Sequence, residues 1–230
     1  MSSSDPPKAA RRNALARLAG LAAASLGVGR SARAADTACT PVRKFEPGPF
    51  PLSTILADPH FRRRSIVEDR VGVPLELAVT VVDARAGCRP INNAAVYVWH
   101  CDKDGTYSGY DAAGKMTFLR GVQTTDDRGV ATFATIYPGW YPGRITHVHL
   151  QVFDGNDVGR RPILTTQVPL PLETNTEVYA SPLYARQGQN RGVRGFADDG
   201  VFRGEPLQSL IPVVTGSVSR GLVARVTIAV

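Results

Sequence analysis

A series of short runs in which apolar and polar residues alternate, each closed by a turn signal, limits what this chain can fold into. Leu75, Leu77, Val79 and Val81 alternate with Glu76, Ala78, Thr80 and Val82, and comparable runs cover 94–101, 116–122, 130–136, 145–153, 163–168 and 222–228. Successive side chains of a strand point to opposite faces, so such runs predict half-buried strands. The segment 83–90 with Gly87 and Pro90, Asp102-Lys103-Asp104-Gly105 and Asp126-Asp127-Arg128-Gly129 are turn sequences between them. Beyond residue 34 no long segment carries the 3.6-residue period of a helix, and no internal repeat occurs. The expectation is an all-β chain, a β-sandwich with long irregular loops. Residues 169–221, rich in Gly, Pro and polar side chains, are too long for a featureless loop and should carry short elements or a function.

A chain of 230 residues is long enough for one domain with a sizeable core. Its net charge of +7 suggests a polyanionic partner until the charges are located. Residues 1–34 hold Lys8, Arg11, Arg12, Arg17, Arg30 and Arg33 against Asp5 alone, which leaves a net of +2 for the rest. Nucleic-acid binding thereby loses its basis. The leader itself reads as an export signal: Arg11-Arg12, then an Ala-rich apolar run from Leu15 to Val28, then Ala32-Arg33-Ala34 as a small-x-small cleavage site. The twin-arginine route is favoured over an ordinary secretory signal, and a periplasmic or secreted location is expected. The organisation expected is a signal peptide over 1–34, an extended N-terminal arm over 35–71 and a β-sandwich domain over 72–230. No uninterrupted run of 18 apolar residues predicts a membrane span. Cys39, Cys88 and Cys101 allow one disulfide and one leftover thiol. The sequence does not fix the pairing; Cys88 with Cys101 is favoured because they bracket a predicted strand.

Chemistry concentrates between Tyr141 and His149. His147 and His149 stand two apart, so on a strand both imidazoles emerge on one face, while Thr146, Val148, Leu150 and Val152 take the other. Tyr141 lies just upstream across a Pro142-Gly143 bend, and Tyr107 follows the turn after the strand containing Trp99. Two imidazoles with two phenols form a metal-ligand set. Phenolate is a hard anionic donor, so the set points to Fe(III) ahead of zinc or copper. His100, alternating with Val96 and Val98, reads as a hydrogen-bonded core residue, and Asp102 and Asp104 as turn residues without the spaced acids of a calcium loop. The basic cluster Arg62-Arg63-Arg64 reads as a solvated surface.

These residues carry a resemblance. Cys88-Arg89-Pro90-Ile91-Asn92-Asn93-Ala94, Val98-Trp99-His100-Cys101-Asp102, Gly105-Thr106-Tyr107-Ser108-Gly109, Phe118-Leu119-Arg120-Gly121 and above all Pro138–His149 resemble the intradiol ring-cleavage dioxygenases, the group of catechol and protocatechuate dioxygenases. The resemblance implies a β-sandwich, ferric ligands at Tyr107, Tyr141, His147 and His149, a charge-stabilising, substrate-contacting Arg144, and a substrate-binding Gln167. It implies a non-haem Fe(III) enzyme that uses O2 to open a catechol ring between its hydroxyl-bearing carbons, giving a muconate-type diacid, with Tyr141 leaving the metal to take up a proton. The gap from Tyr141 to Arg144 is shorter than in that group, and Val168-Pro169-Leu170-Pro171 replaces its aromatic-rich continuation, so the substrate rim should differ. The competing expectation is an exported, non-catalytic β-sandwich binding module.

Overall fold

The computed structural model describes residues 39–52, 54, 56–110 and 113–230; the expected signal peptide and its cleavage site lie outside these residues. Among these residues nine strands form two sheets. The first is built around β1 (Pro74–Asp83), which pairs antiparallel with β2 (Arg89–Pro90) and β5 (Val130–Ile136) along one side and parallel with β9 (Gly221–Ala229) along the other. The strand β8 (Val213–Ser217) closes its far edge. The second sheet runs β4 (Arg120–Thr124), β3 (Ala95–Trp99), β6 (His147–Phe153) and β7 (Leu164–Pro169), all antiparallel. The sandwich expected from the alternation is therefore present.

Alternation explains how the sheets face one another. Leu75, Leu77, Val79 and Val81 of β1 and Val148, Leu150 and Val152 of β6 belong to one buried cluster. Each such side chain contributes about 1.5–3 kcal/mol by leaving water. The intervening residues of the second sheet turn to its outer face, where Tyr97, Trp99, Val122 and Phe153 form a second cluster with Leu56 and Tyr107. That outer face would be open to solvent were it not covered from two directions: by the loop between β3 and β4, and by the N-terminal arm. Phe45 N donates to the Thr165 carbonyl (3.0 Å) and Val42 N to the Ala229 carbonyl (2.9 Å), so the arm bonds to both sheets.

The 169–221 stretch carries one α-helix, α1 (Leu172–Tyr179), and two short 3-10 turns, Pro182–Tyr184 and Phe196–Asp198, besides β8. It buries Asn175, Val178 and Tyr179, at the i, i+3, i+4 spacing of one helix face. Its Tyr179 hydroxyl bonds Thr146 and the Pro138 carbonyl, and Asn175 accepts from the Tyr137 hydroxyl, so α1 braces the segment that leads into β6.

Several local expectations change. The strand expected from Met116 starts only at Arg120, because Leu119 adopts a positive φ of 57° that no strand accommodates. The disulfide joins Cys39 to Cys88, and Cys101 is a buried free thiol. Bracketing a strand separates two cysteines: five residues of β3 rise about 16 Å, whereas bridged Cα atoms must lie within about 7 Å. Arg63 is also not a purely solvated charge. It pairs with Glu68 at 2.7 Å and donates to the Thr117 and Arg120 carbonyls.

Candidate metal centre

The outer face of β6 presents His147 and His149 side by side. Three neighbouring strands register Trp99, His149 and Gln167 as lateral partners, and the indole of Trp99 stacks on the His149 ring (centroids 4.8 Å apart, 7° between planes). That stack, with Gly48 of the arm lying against the His149 ring, holds the imidazole in one plane. The His147 ring is fixed differently: its Nδ1 lies 2.6 Å from the Ile145 carbonyl. An Nδ1 facing a carbonyl carries the hydrogen, which leaves the Nε2 lone pair aimed inward.

Two loops bring in the phenols. Asp102 Oδ1 accepts from Asp104 N and Thr106 N at 3.0 and 2.9 Å, so Asp102 is the turn residue expected and delivers Tyr107 to the buried face. Tyr141 is returned over His147 by a tight turn in which Arg144 N donates to the Tyr141 carbonyl and Gly143 takes φ +81°. The four donor atoms then form a continuous run: Tyr141 Oη to His147 Nε2 3.2 Å, His147 Nε2 to His149 Nε2 3.1 Å, His149 Nε2 to Tyr107 Oη 3.0 Å.

This arrangement fits a cation. Two inward imidazole nitrogens 3.1 Å apart present lone pairs to each other with at most one hydrogen between them. Adjacent donors around one ion with bonds of about 2.1 Å sit about 3 Å apart, which is the spacing seen. Burial pushes the His147 pKa down to about 3 and holds His149 well below its ordinary value, with the nearby Arg144 charge adding to both. Both imidazoles are thus neutral, the form that ligates. Burial likewise raises both phenols, Tyr107 the more strongly. Only a strong Lewis acid would ionise them here, and phenolate oxygen suits a hard trivalent ion. Among the described residues no group of three or more His, Cys, Asp or Glu gathers, so the mixed phenol–imidazole set is the metal-binding candidate they offer.

Arg144 and Gln167 join the same site. Arg144 Nη2 donates to Gln167 Oε1 (2.6 Å), and its Nη1 lies 3.4 Å from Tyr141 Oη. Its Nε reaches both oxygens of Asp199, at 3.1 and 3.0 Å. Asp199 is wholly buried and also accepts from Ile145 N, Val201 N and Phe202 N at 2.6, 2.7 and 2.8 Å. All six residues singled out in the sequence therefore meet in one place. His100 lies apart from them, buried between Thr135 Oγ1 (2.7 Å) and the Cys101 carbonyl (2.8 Å), as expected of a core histidine. Asp199 went unrecognised because it lies in the 169–221 stretch, where nothing in Asp198-Asp199-Gly200 tells a buried carboxylate from a solvated one. The arm's Gly48 and Phe50 also reach the site: Phe50 stacks on Tyr107 with centroids 4.3 Å apart. A glycine–aromatic pair in a Pro-rich stretch was the only signal for them.

A family model described as Dioxygenase matches residues 47–166, more than half of the chain. Among solved structures, an intradiol ring-cleavage dioxygenase from Tetranychus urticae is 28% identical, with a TM-score of 0.73 over 83% of this chain and 94% of that one. The dioxygenase domain of a dioxygenase–carbohydrate-binding fusion from Streptomyces sp. SirexAA-E is 27% identical, with a TM-score of 0.58 over 83% and 98%. Hydroxyquinol 1,2-dioxygenase from Pseudomonas putida, at 18% identity, shares the fold with a TM-score of 0.57 over 83% of this chain and 66% of its own. A search of curated proteins finds no match. By its family match, its fold and its structural relatives, the chain belongs to the intradiol ring-cleavage dioxygenases.

Proposed function

We propose that the protein is an exported non-haem Fe(III) dioxygenase that opens a catechol-type diol between its two hydroxyl-bearing carbons and yields a muconate-type diacid. The observation that carries this reading is the run of four donor atoms from Tyr141 through His147 and His149 to Tyr107, spaced 3.0–3.2 Å apart. Tyr107, Tyr141, His147 and His149 would hold the metal. Ferric iron would supply Lewis acidity and a template on which diol and O2 meet.

The remaining work falls to the chain's own side chains. Both histidines are fixed, His147 by the Ile145 carbonyl and His149 by the Trp99 stack, and would hold a metal in register. Tyr107 is buried and packed, whereas Tyr141 is half-buried at the edge of the site. Tyr141 is therefore the phenolate able to swing away and accept a proton from an incoming diol hydroxyl at its Oη. Arg144 Nη1, 3.4 Å from that Oη, stabilises negative charge as it develops on the substrate oxygens and ring. Asp199 and Gln167 hold the guanidinium so that it need not reorganise as that charge appears. Trp99 and Phe50 cover the donors and exclude water.

Export through a signal peptide over 1–34, by the twin-arginine route, belongs to the same proposal, with 35–71 as an arm on the 72–230 catalytic domain. The Cys39–Cys88 disulfide supports an oxidising compartment. A twin-arginine route would carry the protein out already folded around its metal. The test is iron content together with O2 uptake on catechol. The reading expects O2 and diol to be consumed mole for mole, loss of iron from His147→Ala, and slow turnover with full iron from Arg144→Ala. A fully active, iron-replete His147→Ala protein would overturn it.

A further inference from the structure

The stretch from Tyr137 to Trp140 joins the end of β5 to Tyr141 and belongs to neither sheet. Tyr137, Pro138 and Gly139 are buried, so their backbone groups need partners. Side chains supply most of them. The Tyr184 hydroxyl donates to the Tyr137 carbonyl (2.5 Å), the Tyr179 hydroxyl to the Pro138 carbonyl (3.1 Å) and the Cys101 thiol to the Gly139 carbonyl (3.5 Å). Tyr137 N donates to the Val73 carbonyl at 2.8 Å, and Gly139 N to the Asp102 carbonyl at 3.0 Å. Trp140, the last residue before Tyr141, is held at both backbone polar groups by Gln187. The Gln187 Nε2 donates to the Trp140 carbonyl, and its Oε1 accepts from Trp140 N at 3.2 Å. One planar side-chain amide thus takes the place of a neighbouring strand beside a donor phenol.

Gln187 is itself fixed. Its turn is rooted by the buried Tyr184, whose carbonyl accepts from Gln187 N at 3.1 Å and from Gly188 N at 2.8 Å. The Gly188 carbonyl in turn accepts from the Trp140 indole Nε1 at 2.9 Å. Two glycines let the phenol-bearing loops close around the amide. A Cβ on Gly139 would meet Gln187 Oε1 at 2.6 Å. One on Gly105, in the turn that delivers Tyr107, would meet the Trp140 carbonyl at 2.5 Å and Gln187 Nε2 at 3.2 Å. Gln187 therefore sits where the loops of both phenols meet. Tyr179 and Tyr184 are core residues as well as caps. Gln187 is only half-buried, and both of its side-chain bonds go to Trp140, so core packing does not account for it.

Tyr141 has a requirement that the histidines lack: its phenol must depart as a diol enters and come back afterwards. A backbone held at Trp140 confines that movement to side-chain rotation and returns the phenol to the same place.

We propose that Gln187 is a positioning residue for Tyr141, holding the backbone from which the phenol leaves and to which it returns. The proposal rests on the reading above of Tyr141 as a donor that the diol displaces. Positioning and general damage differ in sign. Diol and Tyr141 phenolate compete for one place, so a loosened Tyr141 is displaced more easily. Loss of Gln187 should therefore tighten diol binding while slowing turnover, whereas general damage weakens binding.

The test compares wild type, Gln187→Leu, Gln187→Glu and Gln189→Ala. Leucine removes both bonds; an ionised glutamate keeps an acceptor for Trp140 N but has no hydrogen for the Trp140 carbonyl. Gln189 donates to the Thr176 carbonyl of α1 (2.9 Å), away from Trp140, and its variant is the control. Hydrogen exchange at the Trp140 amide and indole N–H is followed by NMR on iron-free protein. Iron-loaded protein is titrated with catechol without oxygen, and O2 uptake is then measured. Both Gln187 variants should keep iron and lose kcat. They should exchange faster at Trp140 and bind catechol more tightly, each by about 2- to 10-fold, the factor that one lost hydrogen bond allows. Gln189→Ala should match wild type throughout. Gln187→Glu serves if the leucine variant does not fold. Unchanged exchange at Trp140 overturns the hold on the backbone, and faster exchange with unchanged or weaker catechol binding overturns the positioning of Tyr141. A wild-type protein that takes up no iron, or whose spectrum ignores catechol, defeats the reading of Tyr141 and this proposal with it. Faster Trp140 exchange in the Gln187 variants would then place the failure in that reading and not in the Gln187 contact.

Discussion

Asp199→Asn is the substitution that best separates positioning from ligation at this site. The carboxylate is wholly buried, and each oxygen has several donors. Oδ1 accepts from Arg144 Nε, Val201 N and Phe202 N, and Oδ2 from Arg144 Nε and Ile145 N. Asparagine has the same shape but one oxygen, so its NH2 faces at least two N–H groups in either orientation. It also leaves the Arg144 guanidinium without its countercharge. Breaking a buried pair by removing one partner costs about 3–5 kcal/mol. For a chain of this length about 2–4 °C of Tm accompanies each kcal/mol, so the melting point should fall by about 6–20 °C. Because Arg144 Nη1 would no longer be held beside Tyr141, kcat should fall by about 100-fold, the order that a misplacement of about 1 Å produces. Iron should stay, since none of the four donors is bonded to Asp199. Calorimetry, iron analysis and steady-state O2 uptake read the three effects. A variant that melts within about 2 °C of wild type and turns over normally refutes the account of Arg144 positioning.

Other expectations follow from contacts elsewhere in the fold. The Cys39–Cys88 bridge closes a segment with a sequence separation of 49. Chain entropy assigns such a loop about 4 kcal/mol, so the Cys39→Ser, Cys88→Ser double variant should melt about 8–16 °C lower; equal melting of oxidised and reduced wild type would count against the bridge. Burial holds the folded His100 pKa at about 4, below the unfolded value near 6.5. The unfolded chain therefore binds protons that the fold refuses. Stability is complete above about pH 6.5 and should fall by about 3 kcal/mol from this residue as pH drops toward 4. In metal-free protein His147 and His149, lowered in the same sense, add to that loss, and a urea midpoint that does not move between pH 7 and 5 would contradict it.

The sandwich was legible because a strand's period of two records which face is buried. Val96, Val98 and His100 opposite Tyr97 and Trp99 already distinguished the shared core from the outer face. The donor set was legible for a related reason: His147 and His149 lie on one strand, and Tyr141 and Tyr107 enter from turns that Pro142-Gly143 and Asp102–Gly105 announce. What stayed hidden depends on contacts between distant parts of the chain. Arg144 and Asp199 are 55 residues apart, and Arg120 and the Phe50 carbonyl are 70 apart. Arg120 looks like any strand-end arginine until the arm lies over it. The cysteine pairing failed because nearness in sequence across a strand is distance in space, whereas the arm brings Cys39 beside Cys88. The strand expected from Met116 failed at Leu119, whose left-handed backbone no apolar pattern marks.

The central claim is that Tyr107, Tyr141, His147 and His149 bind ferric iron on which a catechol is activated. Its most direct test is the visible absorption spectrum of purified, iron-replete protein before and after catechol is added without oxygen. Phenolate-to-iron charge transfer should colour the protein red. Catechol should shift and deepen the band, and Tyr141→Phe should weaken it while Tyr107 remains. A protein that takes up no iron, stays colourless and ignores catechol would contradict the account and favour a sandwich that binds without catalysing.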